Sequence, residues 1–252
     1  MSNTPIRLLH ITDPHLHAQR DATMRGVNTF ETFNAVLEHV AEDGRQPAAI
    51  IATGDLVQDE TRQGYERFHK SMSATGAPVH CIPGNHDSPS IMAELLNDAP
   101  FQYCGDASYG DWQLIMLDTT ARWDESGQMA ATELERLDNT LANCSDKHAL
   151  LTMHHHPVPM GSAWLDRINL LNSHEFLAII ERHTNVRGIV WGHVHQESDQ
   201  TINGVRMLSS PSTCSQFLPN SESFGLDTLS PGYRWLELQP DGSIETEVIW
   251  LS

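Results

Sequence analysis

Residues 6–15 read Ile-Arg-Leu-Leu-His-Ile-Thr-Asp-Pro-His, an apolar, strand-like run that ends in the polar cluster Asp13-Pro14-His15. The same punctuation recurs down the chain. Gly54-Asp55 closes the run 48–53, Gly84-Asn85-His86-Asp87 closes 78–82, His154-His155-His156-Pro157 closes 149–153, and Gly192-His193-Val194-His195 closes 186–191. A sixth run lies at 112–117. Amphipathic periodicity predicts helices at 29–42, 61–75, 88–97, 132–143 and 173–183, so the order is that of an α/β fold. Ser88-Pro89 reads as an N-cap with a first-turn proline, and Thr132 with Glu135 as a capping box. In open α/β sheets ligands gather outside the carboxyl ends of strands, so the five polar clusters are expected to share one crevice.

Past Trp191 the helical period disappears. Asn203-Gly204 and Asp241-Gly242 sit between alternating runs and predict two hairpins, at 201–206 and at 233–238 with 245–251. Two long stretches, 156–172 and 209–232, carry no periodicity. Loops of that length are usually functional or disordered, and Trp164, Phe217 and Phe224 argue against disorder.

A chain of 252 residues with 39% hydrophobic and 19% charged content is expected to form one soluble domain over residues 1–252, with no apolar run long enough to span a bilayer. Its start enters a strand within a few residues and shows no leader pattern, so a cytoplasmic location is expected. Cys81, Cys104, Cys144 and Cys214 form no C-x-x-C pair, which suits reduced thiols rather than a disulfide or structural zinc. The formal charge of −18, from 15 Lys+Arg and 33 Asp+Glu, argues against a nucleic-acid partner. Bound cations must then supply most of the positive charge that a phosphate substrate needs.

Asp13 with His15, and His193 with His195, are alternate residues, and in extended backbone such pairs project to one side and can chelate. Carboxylate and imidazole suit Fe, Mn, Zn or Co, and a shared aspartate can bridge two ions. Gly54 and Gly84 allow tight turns that expose Asp55 and Asn85. Trp164, Asp166, Cys214, Gln216 and Phe217 are candidates for a nucleotide pocket, with core packing or a dimer contact as the alternative for each. His10, His39, His69, His80, His148, His174 and His183 match no motif and are expected in the core, on the surface or at helix ends.

D-x-H, G-D, G-N-H-D, H-H and G-H-x-H in this order resemble the motif set of the calcineurin-like metallophosphoesterases. The stretches HHHPVPMGSAWLD, GHVHQE and SPSTCSQFLPNSESFGLDTLSPGYR look like the bacterial class III 3',5'-cyclic-AMP phosphodiesterases of that superfamily. The resemblance implies a four-layer sandwich, two β-sheets flanked by helices, with two metals at the carboxyl ends of the strands. It implies Asp13, His15, Asp55 and His195 around the first metal and Asp55, Asn85, His154 and His193 around the second. A hydroxide bridging the ions would attack phosphorus. His86 would lie over the scissile phosphate, and His15, Asp55, Asn85 and His195 would also meet substrate.

Of the three consecutive histidines, His154 takes the metal position, His155 faces away as a support or packing residue, and His156 opens the loop as pocket wall or solvent-facing residue. The segment Gly54 to Glu60 lacks the arginine of the protein Ser/Thr phosphatases and has Gln58 where purple acid phosphatases carry a tyrosine. The implied substrate is 3',5'-cyclic AMP, hydrolysed to 5'-AMP. Other small diesters, such as 2',3'-cyclic nucleotides and glycerophosphodiesters, stay open, as does a non-catalytic scaffold of the same fold. Neither nucleic acid nor membrane is an expected partner, and monomer or homodimer is left open.

Overall fold

The computed structural model describes residues 4–121 and 124–252; the first three residues, part of the stretch read for a leader, lie outside it. The α/β alternation resolves into two six-stranded sheets. In the first, β1 (Ile6–Ile11), β4 (Ala49–Ala52), β5 (Val79–Cys81) and β6 (Phe101–Tyr103) run parallel, and β13 (Gly232–Leu238) with β14 (Ile244–Trp250) adds an antiparallel edge. In the second, β8 (Trp112–Met116), β9 (His148–Met153), β10 (Val186–Trp191) and β12 (Val205–Ser209) run parallel. Antiparallel β7 (Gly105–Tyr109) and β11 (Ser198–Ile202) close its two edges.

Apolar residues face both sides of the central strands, as strands covered on both faces require. Leu8, Ile51, Leu150, Val190 and Leu208 form the core between the sheets. Leu9, Ile50 and Val79 pack outward against Phe33, Phe68 and Met92, on α1 (Thr29–Asp43), α2 (Arg62–Ser73) and α3 (Pro89–Leu95). Leu151 and Ile189 pack outward against Leu137 and Phe176, on α4 (Ala131–Asn143) and α5 (Ser173–Ile180). Three cores between four layers give the sandwich expected from the sequence.

Local chemistry sets several boundaries. The Asn28 side chain accepts from the amides of Phe30 and Glu31 at the start of α1, and Gly44, at φ 75°, ends it. Thr61 caps α2 through the Gly64 amide. Ser88 holds the N-cap position of α3 ahead of Pro89, but its side chain makes no cap bond. The expected capping box at Thr132 and Glu135 does not form, because α4 starts earlier, with Ala130 as its cap residue. Instead the neighbouring Glu133 carboxylate accepts the Asp118 amide and Arg136. Three strands, β6, β7 and the short β2 (Thr23–Met24), were not anticipated, nor was β2's partner β3 (Val27–Asn28).

Candidate metal centre

Strands β1, β4 and β5 of one sheet and β9 and β10 of the other deliver the five polar clusters to one end of the sandwich. Asp13, His15, Asp55, His154, His193 and His195 are all buried there. The expected extended geometry is not what brings them together. Asp13, His15, Asp55, His193 and His195 have positive φ, between 46° and 67°, so the chain turns sharply after each strand rather than continuing it. Left-handed backbone at five non-glycine residues is strain of the kind that collects at functional sites. Gly84 has its own reason: a Cβ there would lie 2.2 Å from the Asp55 carboxylate, so only glycine lets the two loops meet.

Asp55 faces two groups at once. Its Oδ1 lies 3.4 Å from His154 Nε2, which is 3.2 Å from Asn85 Oδ1. Its Oδ2 lies 3.8 Å from His15 Nε2, which in turn is 3.1 Å from His195 Nε2. Asp13 Oδ1 completes this second group, 3.3 Å from His195 Nε2. Potential ligand atoms of Asp13, His15 and His195 all lie within 4.8 Å of one another, as do those of Asp13, Asp55 and His154. The far nitrogens are anchored on backbone: His154 Nδ1 on Thr53 O, His195 Nδ1 on Ser215 O, and His193 Nε2 on Ile168 O. Such bonds fix ring orientation and leave the other nitrogen for an ion.

The donor set suits two divalent cations, and the electrostatics agree. Burial alone would lower the affinity of His154 for a proton, yet the carboxylates of Asp55 and Asp13 outweigh it and raise its pKa to about 9. Asp55 stays far below the usual carboxylate range against its own burial, through the His154 and His15 rings. A fully buried site that holds a proton this firmly favours positive charge, and a metal ion competes for the same place.

His86 lines the cavity beside these groups, about 150 Å³ in volume, together with Gln58, Glu125, Trp164, Phe217 and Arg25. The Gln58 amide meets His86 Nδ1 at 3.1 Å, and the His86 amide donates to Asp55 Oδ1 at 2.9 Å. Asp87, the last residue of the G-N-H-D motif, had no assigned role. It accepts the amides of Leu56, Val57 and Gly84 and the Tyr65 hydroxyl, tying the Asp55 loop to the His86 loop. His10, which matches no motif, is buried and bonds Thr53, which reaches Thr12 and through it Asp13.

Of the three consecutive histidines, one departs from the expectation, His156. His154 joins the Asp55 group. His155 is buried with both nitrogens engaged, on Thr119 Oγ1 and Glu125 O, although it also offers a ligand atom near His154 and His193. His156 does not reach solvent: it is fully buried, 3.6 Å from Asp166 and stacked on the His193 ring. Of the nucleotide-pocket candidates, Trp164 and Phe217 line the cavity. Asp166, Cys214 and Gln216 do not, because the stretches around them are folded on themselves. Asp166 takes the amides of Met160 and Gly161, Gln216 bonds Ser212 and Ser230, and Cys214 is buried.

Residues 6–197 match the family model described as calcineurin-like phosphoesterase. The chain is 43% identical over 244 residues to a Haemophilus influenzae protein named 3',5'-cyclic adenosine monophosphate phosphodiesterase CpdA, covering 96% of this chain and 89% of that one. It is 40% identical, over the same shares, to the protein of that name from Escherichia coli K12. Among solved structures it resembles a dimetal phosphatase from Danio rerio, with a TM-score of 0.70, 16% identity, and coverage of 99% of this chain and 100% of that one. The chain belongs to the calcineurin-like phosphoesterase family.

Proposed function

We propose that this protein hydrolyses 3',5'-cyclic AMP to 5'-AMP at a dinuclear divalent-metal centre. Asp13, His15, Asp55 and His195 would hold one ion, and Asp55, Asn85, His154 and His193 the other. The observation that carries the reading is the Asp55 carboxylate, whose two oxygens face the two groups separately. The substrate assignment is supported by the names of the two bacterial relatives. When bound, the ions would supply an activated water and positive charge for the phosphoryl group. Fe, Mn, Zn and Co all suit the ligand set.

The chain's own residues supply the rest. Hydrolysis adds water to phosphorus as the P–O3' bond breaks, and O3' must gain a proton. His86, with Nδ1 taken by Gln58, offers Nε2 to a phosphoryl oxygen or to the departing O3'. Asp87 keeps the loops carrying Asp55 and His86 at a fixed separation. Trp164 and Phe217, in contact with each other, give the cavity an apolar part of its lining. No described helix is long and apolar enough to cross a membrane, and the proposed site of action is the cytoplasm, with residues 1–252 as one domain.

The experiment is turnover by metal-replete protein on 3',5'-cyclic AMP, 2',3'-cyclic AMP, a glycerophosphodiester and bis(4-nitrophenyl) phosphate. The highest kcat/KM is expected for 3',5'-cyclic AMP, with 5'-AMP as product. A higher value for another diester would replace the substrate. No turnover of any of them would leave the scaffold reading.

A further inference from the structure

The cavity beside the two metal-ligand groups is lined, among the described residues, by one Lys or Arg, and it is Arg25. That is notable in a chain whose 15 cationic residues face 33 acids. Arg25 and Gly26 form the two-residue tip between β2 and β3, with φ of 53° and 84°. Both values are positive, as in the tight hairpin turn that Asn-Gly usually occupies. An arginine in the first place sits in left-handed backbone that residues with a Cβ avoid.

The turn gives the side chain a direction. The Arg25 guanidinium carbon lies 4.0 Å over the Phe224 ring and 5.8 Å from the centre of Phe217. Phe217 lies flat on His195, 4.0 Å between ring centres and 6° between planes, so Arg25 stands one aromatic ring away from that histidine. Trp164 meets the edges of both phenyl rings, at 5.3 and 5.2 Å, and its indole N–H has no partner among the described residues. The exposed Arg25 side chain makes no ion pair and no hydrogen bond among the described residues, and Phe224 is 42% exposed. A cavity of about 150 Å³ is below the roughly 300 Å³ at which sites for drug-sized ligands begin. A cavity of this size does not enclose a whole nucleotide, which leaves the base toward its mouth.

We infer that Arg25, held flat on Phe224, is a specificity-determining residue that reads the purine base of the substrate. With one face on Phe224, the planar guanidinium can point a single in-plane N–H at the purine N7, an acceptor on the base edge that arginine can reach. This inference rests on the cyclic-nucleotide reading above. It assigns Arg25 to substrate affinity, with no part in the bond-breaking step.

The test measures KM and kcat of the metal-replete wild type, R25L and R25K on three substrates: 3',5'-cyclic AMP, its 7-deaza analogue and bis(4-nitrophenyl) phosphate. R25L should raise KM for cyclic AMP about tenfold, the scale of one hydrogen bond from a charged donor. Its kcat and metal content should stay at the wild-type level. The 7-deaza analogue should show the same KM penalty in the wild type and no further penalty in R25L. R25K, which keeps the charge without the flat group that Phe224 holds in place, should resemble R25L. An unchanged KM for cyclic AMP in R25L would overturn the inference. So would an equal rise for bis(4-nitrophenyl) phosphate, which would place the guanidinium on the phosphodiester charge. Wild-type turnover of bis(4-nitrophenyl) phosphate without either cyclic nucleotide would instead overturn the substrate reading, and the base contact with it.

Discussion

His86 Nδ1 and Gln58 Nε2 stand 3.1 Å apart in the lining of the cavity, and this contact fixes one edge of the ring and leaves Nε2 for substrate. His86→Ala is therefore expected to keep its metal and lose turnover by roughly 10²–10⁴, the range for a positioned acid. Gln58→Ala should lower kcat by about tenfold through ring disorder, with KM little changed. Comparison with a nitrophenyl diester separates the roles of His86, because a good leaving group needs no proton and should suffer less.

Asp87 carries the cost of joining two loops. Replacing it with alanine removes the acceptor of three backbone amides and the Tyr65 hydroxyl, all in the interior. A loss of about 3 kcal/mol in unfolding free energy is expected, the scale of one to three orphaned donors, measured by urea denaturation. Metal affinity should fall by roughly 10–100-fold, as it does when a supporting group is lost. Tyr65→Phe removes one of those bonds and the acceptor of the Ser88 amide, and should cost about 1–3 kcal/mol.

Scanning the three histidines separates ligand from scaffold. His154→Ala should weaken metal binding and recover part of its activity at high metal concentration, since mass action rescues a lost ligand. His155→Ala should retain metal within about 100-fold but destabilise the fold by roughly 2–4 kcal/mol, because its ring fills a closed space and satisfies two partners. His156→Ala should disturb the His193 ring stacked on it, a change in metal affinity the sequence did not suggest. Metal loss in His155→Ala but not in His154→Ala would exchange the roles of the two.

His80 links acid pH to stability at a place remote from the cavity. Burial, opposed by a contact with Gln102, lowers its pKa to about 4 from 6.5, so the folded state keeps it neutral. The unfolded chain binds the proton more readily. Stability from this residue is thus complete above pH 6.5, declines as pH falls toward 4, and levels off below that, by up to about 3 kcal/mol. His80→Gln should flatten that part of the pH–stability curve, measured by chemical denaturation between pH 4 and 7.

Much of this was legible because strand-end punctuation is local. An apolar run followed by Asp-x-His or Gly-Asn-His-Asp announces both a strand and what it carries, and Val186–Trp191 appears with the bounds the pattern gave. What escaped depends on long-range contact. Phe101–Tyr103 is too short for any period to show and is a strand because β5 lies beside it. Asp166 and Gln216 are polar residues in long loops, and the sequence does not reveal that each folds its own loop. Arg25 had a signal, two turn-forming positions between Met24 and Val27, but nothing local tells which wall of the cavity the hairpin tip meets.

The central claim is that Asp55 joins two ions in one catalytic centre, and metal content measured on the same samples as turnover tests it most directly. Apo protein prepared with chelator should be inactive. Stepwise repletion should bring 3',5'-cyclic AMP hydrolysis to its plateau at two ions per chain, and Asp55→Ala should bind neither tightly and stay inactive. Full activity at one ion per chain, or in the Asp55→Ala protein, would contradict the account.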